Sequence, residues 1–345
     1  MRLAAAETLI FLNRQEPKYK DASVQTIETC KCFEAKDTKE CFVQVDTKLS
    51  VSVTDVVKTD KQLNSLTGIY SFQLFNAIVK LISMVIDDKR AHRLSVYNRL
   101  FLVFMKLKLD MPYVVFAVLF GVSSQTCKNI FFDVVPKLAC VLRCTISLPS
   151  AEKIKKNMPL CFTDFQKVRI VLDCIELSVQ QHKRLCCRIK CYSHYKGTTT
   201  LKFMTGVSPA GVIIYVSPLY GGRASDKAIF EKSGILDKLT PYVDEIMVDK
   251  GFLIQDLCEG YGIKIVRPPF LKNKKQFSYA EAIINAKIAS ARVHVERANA
   301  RIKIFKVLSG KISVEMIPLM NDIFNIVCGI VNLSRPILAD NKFMS

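Results

Sequence analysis

Three acidic residues stand in order in the C-terminal half of this 345-residue chain: Asp173 in IVLDCIEL, Asp249 in IMVDKGF and Glu296 in HVERANARIK. Carboxylates brought together repel one another, and hard divalent cations relieve that repulsion. Mg2+ or Mn2+ suits an all-oxygen donor set. Two such ions about 4 Å apart can clamp the attacking and leaving oxygens of a phosphodiester displacement, with no His or Lys required as base. Each acid alone also has a plainer reading. Asp173 can be a strand-end ion pair, Asp249 a turn-forming Asp, and Glu296 a solvated partner of Arg292 one turn back.

The elements that would position these acids are legible in the period of the apolar residues. Residues 168–179 read as a buried strand carrying Asp173. Stretches 188–195, 199–207 and 211–216 read as further strands. Ser225 caps a helix expected to reach residue 239. Residues 244–248 form a strand that delivers Asp249 to its C-terminal end, where ligands of open α/β sheets collect. A short helix at 253–259, a strand at 263–266 and a long helix at 278–308 follow. The apolar stripe of that helix is Ile288, Ala291, Val295, Ala298, Ile302 and Phe305, and Glu296 sits at its edge with Arg292, Asn299 and Lys303. Strands first, then alternation, then a long helix is an α/β layout with a mixed sheet and flanking helices. It follows the order of elements in the ribonuclease-H-like fold.

Residues 63–156 read as all helical. A helix over 97–109 precedes Asp110, expected as an N-cap with Pro112 in the first turn of a second helix. That helix ends at Gly121, and a third runs from Gln125 to about residue 142. Helix, glycine turn, helix is the form of a helix-turn-helix, whose second helix would present Ser124, Gln125 and Lys128 to a DNA groove. An ordinary bundle with a tight turn fits the same pattern. Residues 1–62 are polar and weakly periodic and read as a loosely ordered leader, 160–335 as the α/β domain and 336–345 as a tail.

Fifty Lys and Arg against 31 Asp and Glu give a net charge of +19, which points to a polyanionic partner. Between residues 264 and 306 there are 11 basic residues and 2 acids. Lys272, Lys274 and Lys275 fall in a loop; Arg292, Arg297, Arg301 and Lys303 ride the long helix. A one-signed basic wall suits the backbone of double-stranded DNA. A membrane is not the expected partner, because the longest apolar run, 112–122, is well short of the ~18 residues of a spanning helix. Glu7 interrupts the N-terminal apolar stretch, which argues against a signal peptide. The thirteen scattered Cys residues then read as reduced thiols and place the chain in the cytosol or nucleus. Cys30, Cys32 and Cys41 cluster without a nearby His, a weak zinc pattern.

On these residues the chain resembles the PIF/Harbinger-like group of DDE-superfamily transposases, in particular the animal proteins in which such a domain follows a THAP zinc finger. The matching text is LDCIELSV around Asp173, YGGRASDKAIFEKSGILD at 220–237, VDKGFLIQDL at Asp249, RPPFLKNKKQFS at 267–278 and ASARVHVERANARIKIFKVL around Glu296. The resemblance covers residues 63–335, with 100–159 similar to the helix-turn-helix segment of that group. It implies a catalytic triad of Asp173, Asp249 and Glu296, Mg2+ or Mn2+ as cofactor, and cutting or joining of DNA at element ends in the nucleus. Asp226 matches a further acidic position of the group, an added candidate for the metal site. A separate DNA-binding accessory protein and a homo-oligomer are left open, as is a domesticated descendant that binds DNA without cutting. Ile175 stands where the group usually has Thr, Lys250 where Arg is common, and no THAP-type Cys and His spacing is visible.

Overall fold

The computed structural model describes residues 53–86, 94–271, 276–338 and 342–344. Lys272, Lys274, Lys275 and the three N-terminal Cys residues lie outside the described residues. The helices are α1 (Val53–Val56), α2 (Asp60–Thr67), α3 (Phe72–Val85), α4 (Val96–Leu109), α5 (Tyr113–Phe120), α6 (Ser124–Leu142), α7 (Ala151–Lys156), α8 (Leu185–Cys191), α9 (Asp226–Glu231), α10 (Gln255–Gly260), α11 (Tyr279–Lys303), α12 (Lys306–Ser309) and α13 (Met320–Leu333). The strands are β1 (Val168–Ser178), β2 (Tyr192–Ser193), β3 (Thr198–Val207), β4 (Ile213–Val216), β5 (Tyr220–Gly221), β6 (Glu245–Val248) and β7 (Lys264–Val266).

The N-terminal half is helical because its capping residues and apolar spacing agree. Ser71, Ser95 and Ser123 each accept a hydrogen bond from a first-turn N–H of α3, α4 and α6. Phe75 of α3 meets Phe101 and Phe104 of α4 edge to face in the core. Asp110 does not start α5. It ends α4 in the left-handed region, at φ 52°, where its carboxylate takes Lys106 Nζ at 2.7 Å. Pro112 is the residue before α5, and Lys106 also donates to the Met111 carbonyl, so the chain turns before the helix begins. Gly121, at φ 62°, ends α5, and α6 leaves at 102° to it. That bend lies in the range of a helix-turn-helix.

The C-terminal half is built on a mixed sheet of order β2-β3-β1-β6-β7, with β4 and β5 also on β3. β1 runs antiparallel to β3, from Val171↔Val207 to Ser178↔Thr200, and parallel to β6. β6 is parallel to β7. An antiparallel half followed by parallel strands on the other side of β1 is the ribonuclease-H-like arrangement, and the chain is α/β.

Four elements differ from the sequence reading. The expected strand at 188–195 is the end of helix α8 followed by only two paired residues; its alternation of apolar and charged residues is period two, yet no residue of the helix is buried. The helix capped by Ser225 stops at Glu231 because Gly234 takes φ 62°, and residues 236–238 form a separate 3-10 turn. The long helix stops at Lys303: Phe305 turns extended and its ring packs on Gly68, where an added Cβ would meet it at 2.6 Å. Finally, α13 has no counterpart among the elements read from the sequence. Val314–Leu333 is long and apolar enough to cross a membrane by length and composition, but its apolar face is core: Ile323, Phe324, Ile326, Val327 and Ile330 are fully buried. Phe324 stacks flat on Phe203 of β3 at 4.1 Å. Phe324→Ala is expected to cost about 3–5 kcal/mol, the range for a buried aromatic cut to Ala, in urea unfolding of the full chain. A cost below about 1 kcal/mol would show that α13 is not part of the sheet's core.

Candidate active site

The parallel pairing of β1 and β6 builds the site. Leu172 is registered with Val248, so the next residues, Asp173 and Asp249, emerge side by side from adjacent strands. Neighbouring strands are about 4.8 Å apart, which sets the spacing of the two backbones. Both side chains face α11. Asn299 Nδ2 donates to Asp173 Oδ2 at 2.7 Å, and Arg292 Nη1 lies 2.9 Å from Asp249 Oδ1. The Cys174 backbone N–H donates to Asp173 Oδ1 at 2.8 Å. α11 starts with a capping box between Ser278 and Glu281 and presents Arg292, Glu296, Asn299 and Lys303 at spacings of four, three and four, one stripe of a helix.

Glu296 thus lies on the stripe between the two residues that hold the aspartates, and its side chain is exposed. Among the described residues no three His, Cys, Asp or Glu side chains are grouped to share one ion. The fold brings Asp173 and Asp249 together and leaves Glu296 at the rim.

On β1, the residues flanking Asp173 build a second charged cluster. Glu176, registered with Lys202 of β3, lies 3.2 Å from Lys202 Nζ, and Asp226 lies 3.1 Å from the same nitrogen. Lys202 also donates to the Ala224 carbonyl, and Thr200 Oγ1 donates to Glu176. Asp226 is therefore an ion-pair partner of a buried Lys. Lys202 and Glu176 went unnoticed in the sequence; their only signal was an acid and a base at matching places in two strands.

Residues 172–332, from the residue before Asp173 to the last residue but one of α13, match the family described as DDE superfamily endonuclease. Residues 92–144, which contain α4 to α6, match the helix-turn-helix of DDE superfamily endonuclease. The two matched stretches thus pair a helix-turn-helix segment with an endonuclease segment of one superfamily, in that order along the chain. No curated protein and no solved structure matches it.

In the helix-turn-helix domain Ser124 and Gln125 occupy the first turn of α6, and exposed Gln125 donates to Asn129 Oδ1 at 2.8 Å. Lys128 forms an ion pair with Glu315. In the endonuclease domain Arg292 is engaged by Asp249, and Arg301 donates to the carbonyls of Arg335 and Pro336. Arg297 and Lys303 are exposed on α11. On the buried face of α11, His294 has Nε2 3.0 Å from Cys161 Sγ and its ring stacked on Phe162. Burial holds this His below its ordinary range and the Cys161 thiol above its own, so the pair is neutral.

Burial pushes the Asp173 carboxyl up to about 6; the charges of Asp249 and Asp226 add to this, while the Cys174 N–H and Arg292 oppose it. A donor set of two adjacent carboxylates, one of them raised by burial and by like charge, fits a hard divalent cation. Asp173 holds its proton to higher pH in the folded chain than in the unfolded one. Stability therefore falls as pH rises from about 4 to about 6, by roughly 2–3 kcal/mol. Asp173→Asn removes that cost. In metal-free chemical denaturation the variant should be more stable than the parent by about 1–3 kcal/mol at pH 8, and equal to it near pH 4. A difference that does not change with pH would refute the account of Asp173.

Proposed function

We propose that this protein is a DNA transposase, or an endonuclease derived from one, of the PIF/Harbinger type, acting in the nucleus. It cuts phosphodiester bonds at element ends and joins the freed 3′-hydroxyl to target DNA. The observation that carries this reading is the side-by-side placement of Asp173 and Asp249 on β1 and β6, inside the stretch that matches the DDE endonuclease family. Enzymes of this family usually use divalent metals. Asp173 and Asp249 would hold Mg2+ or Mn2+, and Glu296, exposed at the rim on α11, would be the third carboxylate. When bound, the cations supply activation of the attacking oxygen and charge neutralisation at the phosphate.

The chain's own residues bind and orient the substrate. Arg297 and Lys303, exposed beside Glu296, are suited to the phosphate backbone of a duplex at the cleavage site. Arg292 sits within reach of the same backbone once Asp249 takes a cation as partner. The first turn of α6 supplies Ser124 and Gln125 for groove contacts, with Lys128 behind them.

Nicking of supercoiled plasmid by the purified full chain tests the reading. Nicking with Mg2+ or Mn2+, none with EDTA, and loss in Asp173→Ala and Glu296→Ala are expected. Asp249→Asn should abolish cleavage and leave DNA binding intact, and log affinity should fall against log salt with a slope of about −0.9 per phosphate contact. Tight, salt-sensitive binding without metal-dependent nicking on cognate ends would instead identify a descendant that binds DNA and no longer cuts it.

A further inference from the structure

Asn299 is a polar residue in an apolar place. It is 8% exposed on α11, between buried Ala298 and Ile302. Its Nδ2 is engaged by Asp173 Oδ2 at 2.7 Å, but its Oδ1 is buried without any hydrogen-bond donor. Buried acceptors are nearly always satisfied, so the bare Oδ1 leaves room for a partner that the protein does not supply, a water or an ion. The amide is a two-faced group: half a turn about its last side-chain bond exchanges nitrogen and oxygen with little movement of the rest. Facing a bare carboxylate, the amide presents N–H. Facing a carboxylate that holds a cation, it presents oxygen.

We propose that Asn299 contributes its amide oxygen, beside Asp173, to the divalent cation of the candidate active site. The inference rests on the metal-dependent reading above and adds a neutral ligand to it. The placement favours Asn299 over Glu296 as the α11 residue nearest the first ion. Asn299 already touches Asp173, whereas Glu296 is exposed and belongs to no grouped set of acids. A neutral oxygen also adds no charge to a site where Asp173 already feels Asp249 and Asp226. Glu296 is then free to serve the second ion or the substrate side of the site.

The test is Mn2+ binding to the metal-free full chain by calorimetry, without DNA, in the parent, Asp173→Ala, Asn299→Ala and Asn299→Asp. A ligand role predicts that Asn299→Ala weakens Mn2+ binding about tenfold or more. Asn299→Asp, which keeps the oxygen and replaces the N–H donor by a second oxygen, should bind as tightly as the parent or tighter. If Asn299 serves only as a donor that pins Asp173, the Asp variant must be at least as weak as the Ala variant, and that result overturns the proposal. Affinity within twofold of the parent in Asn299→Ala overturns it too. Melting without metal reports whether each variant is folded; if Asn299→Ala is not, Asn299→Asp is judged against the parent, and Mn2+ affinity about tenfold or more below the parent's overturns the proposal. A parent that binds Mn2+ through Asp173, with both Asn299 variants unaffected, sinks this proposal and leaves the nuclease reading standing. A parent that binds no Mn2+ sinks both.

Discussion

Two carboxylates on adjacent parallel strands are the constraint around which the C-terminal half is arranged. Asp173 and Asp249 repel each other, and Asp173 is partly buried as well. One helix answers both: Arg292 supplies charge to Asp249 and Asn299 supplies an N–H to Asp173, seven residues apart on α11. Two turns of helix span about 10 Å, enough to cross from one strand to the next at a slant. The same grip fixes where Glu296 stands, midway along the stripe. A slip of one residue in α11 would turn Arg292 and Asn299 off the sheet together.

The rest of the molecule holds that helix and that sheet in place. Phe305, just past α11, packs on Gly68 and lies under Lys108, so the end of the helix is seated against α2 and α4. Lys128 and Arg143 of the helix-turn-helix region reach Glu315 and Asp322 ahead of and within α13. Asn332 clamps both the N–H and the carbonyl of Ile213 while donating to the Thr145 carbonyl. The exposed ion pairs add little stability. The buried contacts of α13, Phe324 on Phe203 among them, carry the packing that joins the helical half to the sheet. On the cluster side, Lys202 ties Glu176 of β1 to Asp226 at the start of α9, which holds the glycine turn at 221–222 close to β3.

Much of this was legible in the residues. The apolar runs around Asp173 and before Asp249 gave their strands, and the stripe from Ile288 to Ile302 gave α11 and the edge on which Arg292, Glu296, Asn299 and Lys303 lie. Gly121 and Ser123 marked the turn of the helix-turn-helix. What was not legible depends on contacts across the chain. Asp110 is the local exception: Lys106, four residues before it, holds its carboxylate and closes α4, a pairing that competes with the N-cap reading within the same stretch. Residues 188–195 alternate like a strand, yet only Tyr192 and Ser193 pair, with Thr199 and Thr198 of β3, and the residues before them are helical. The roles of Arg292 and Asn299 follow from the β1/β6 register, and the Lys202 cluster from the β1/β3 register; neither register is written in spacing along the chain.

The central claim is that Asp173 and Asp249 form one cation site under α11. Crystals grown with Mn2+ test it most directly, through the anomalous signal of the metal. The account predicts a peak in contact with both carboxylates and the Arg292 guanidinium moved off Asp249. A map with no peak there at saturating Mn2+, with Arg292 still on Asp249, would contradict it.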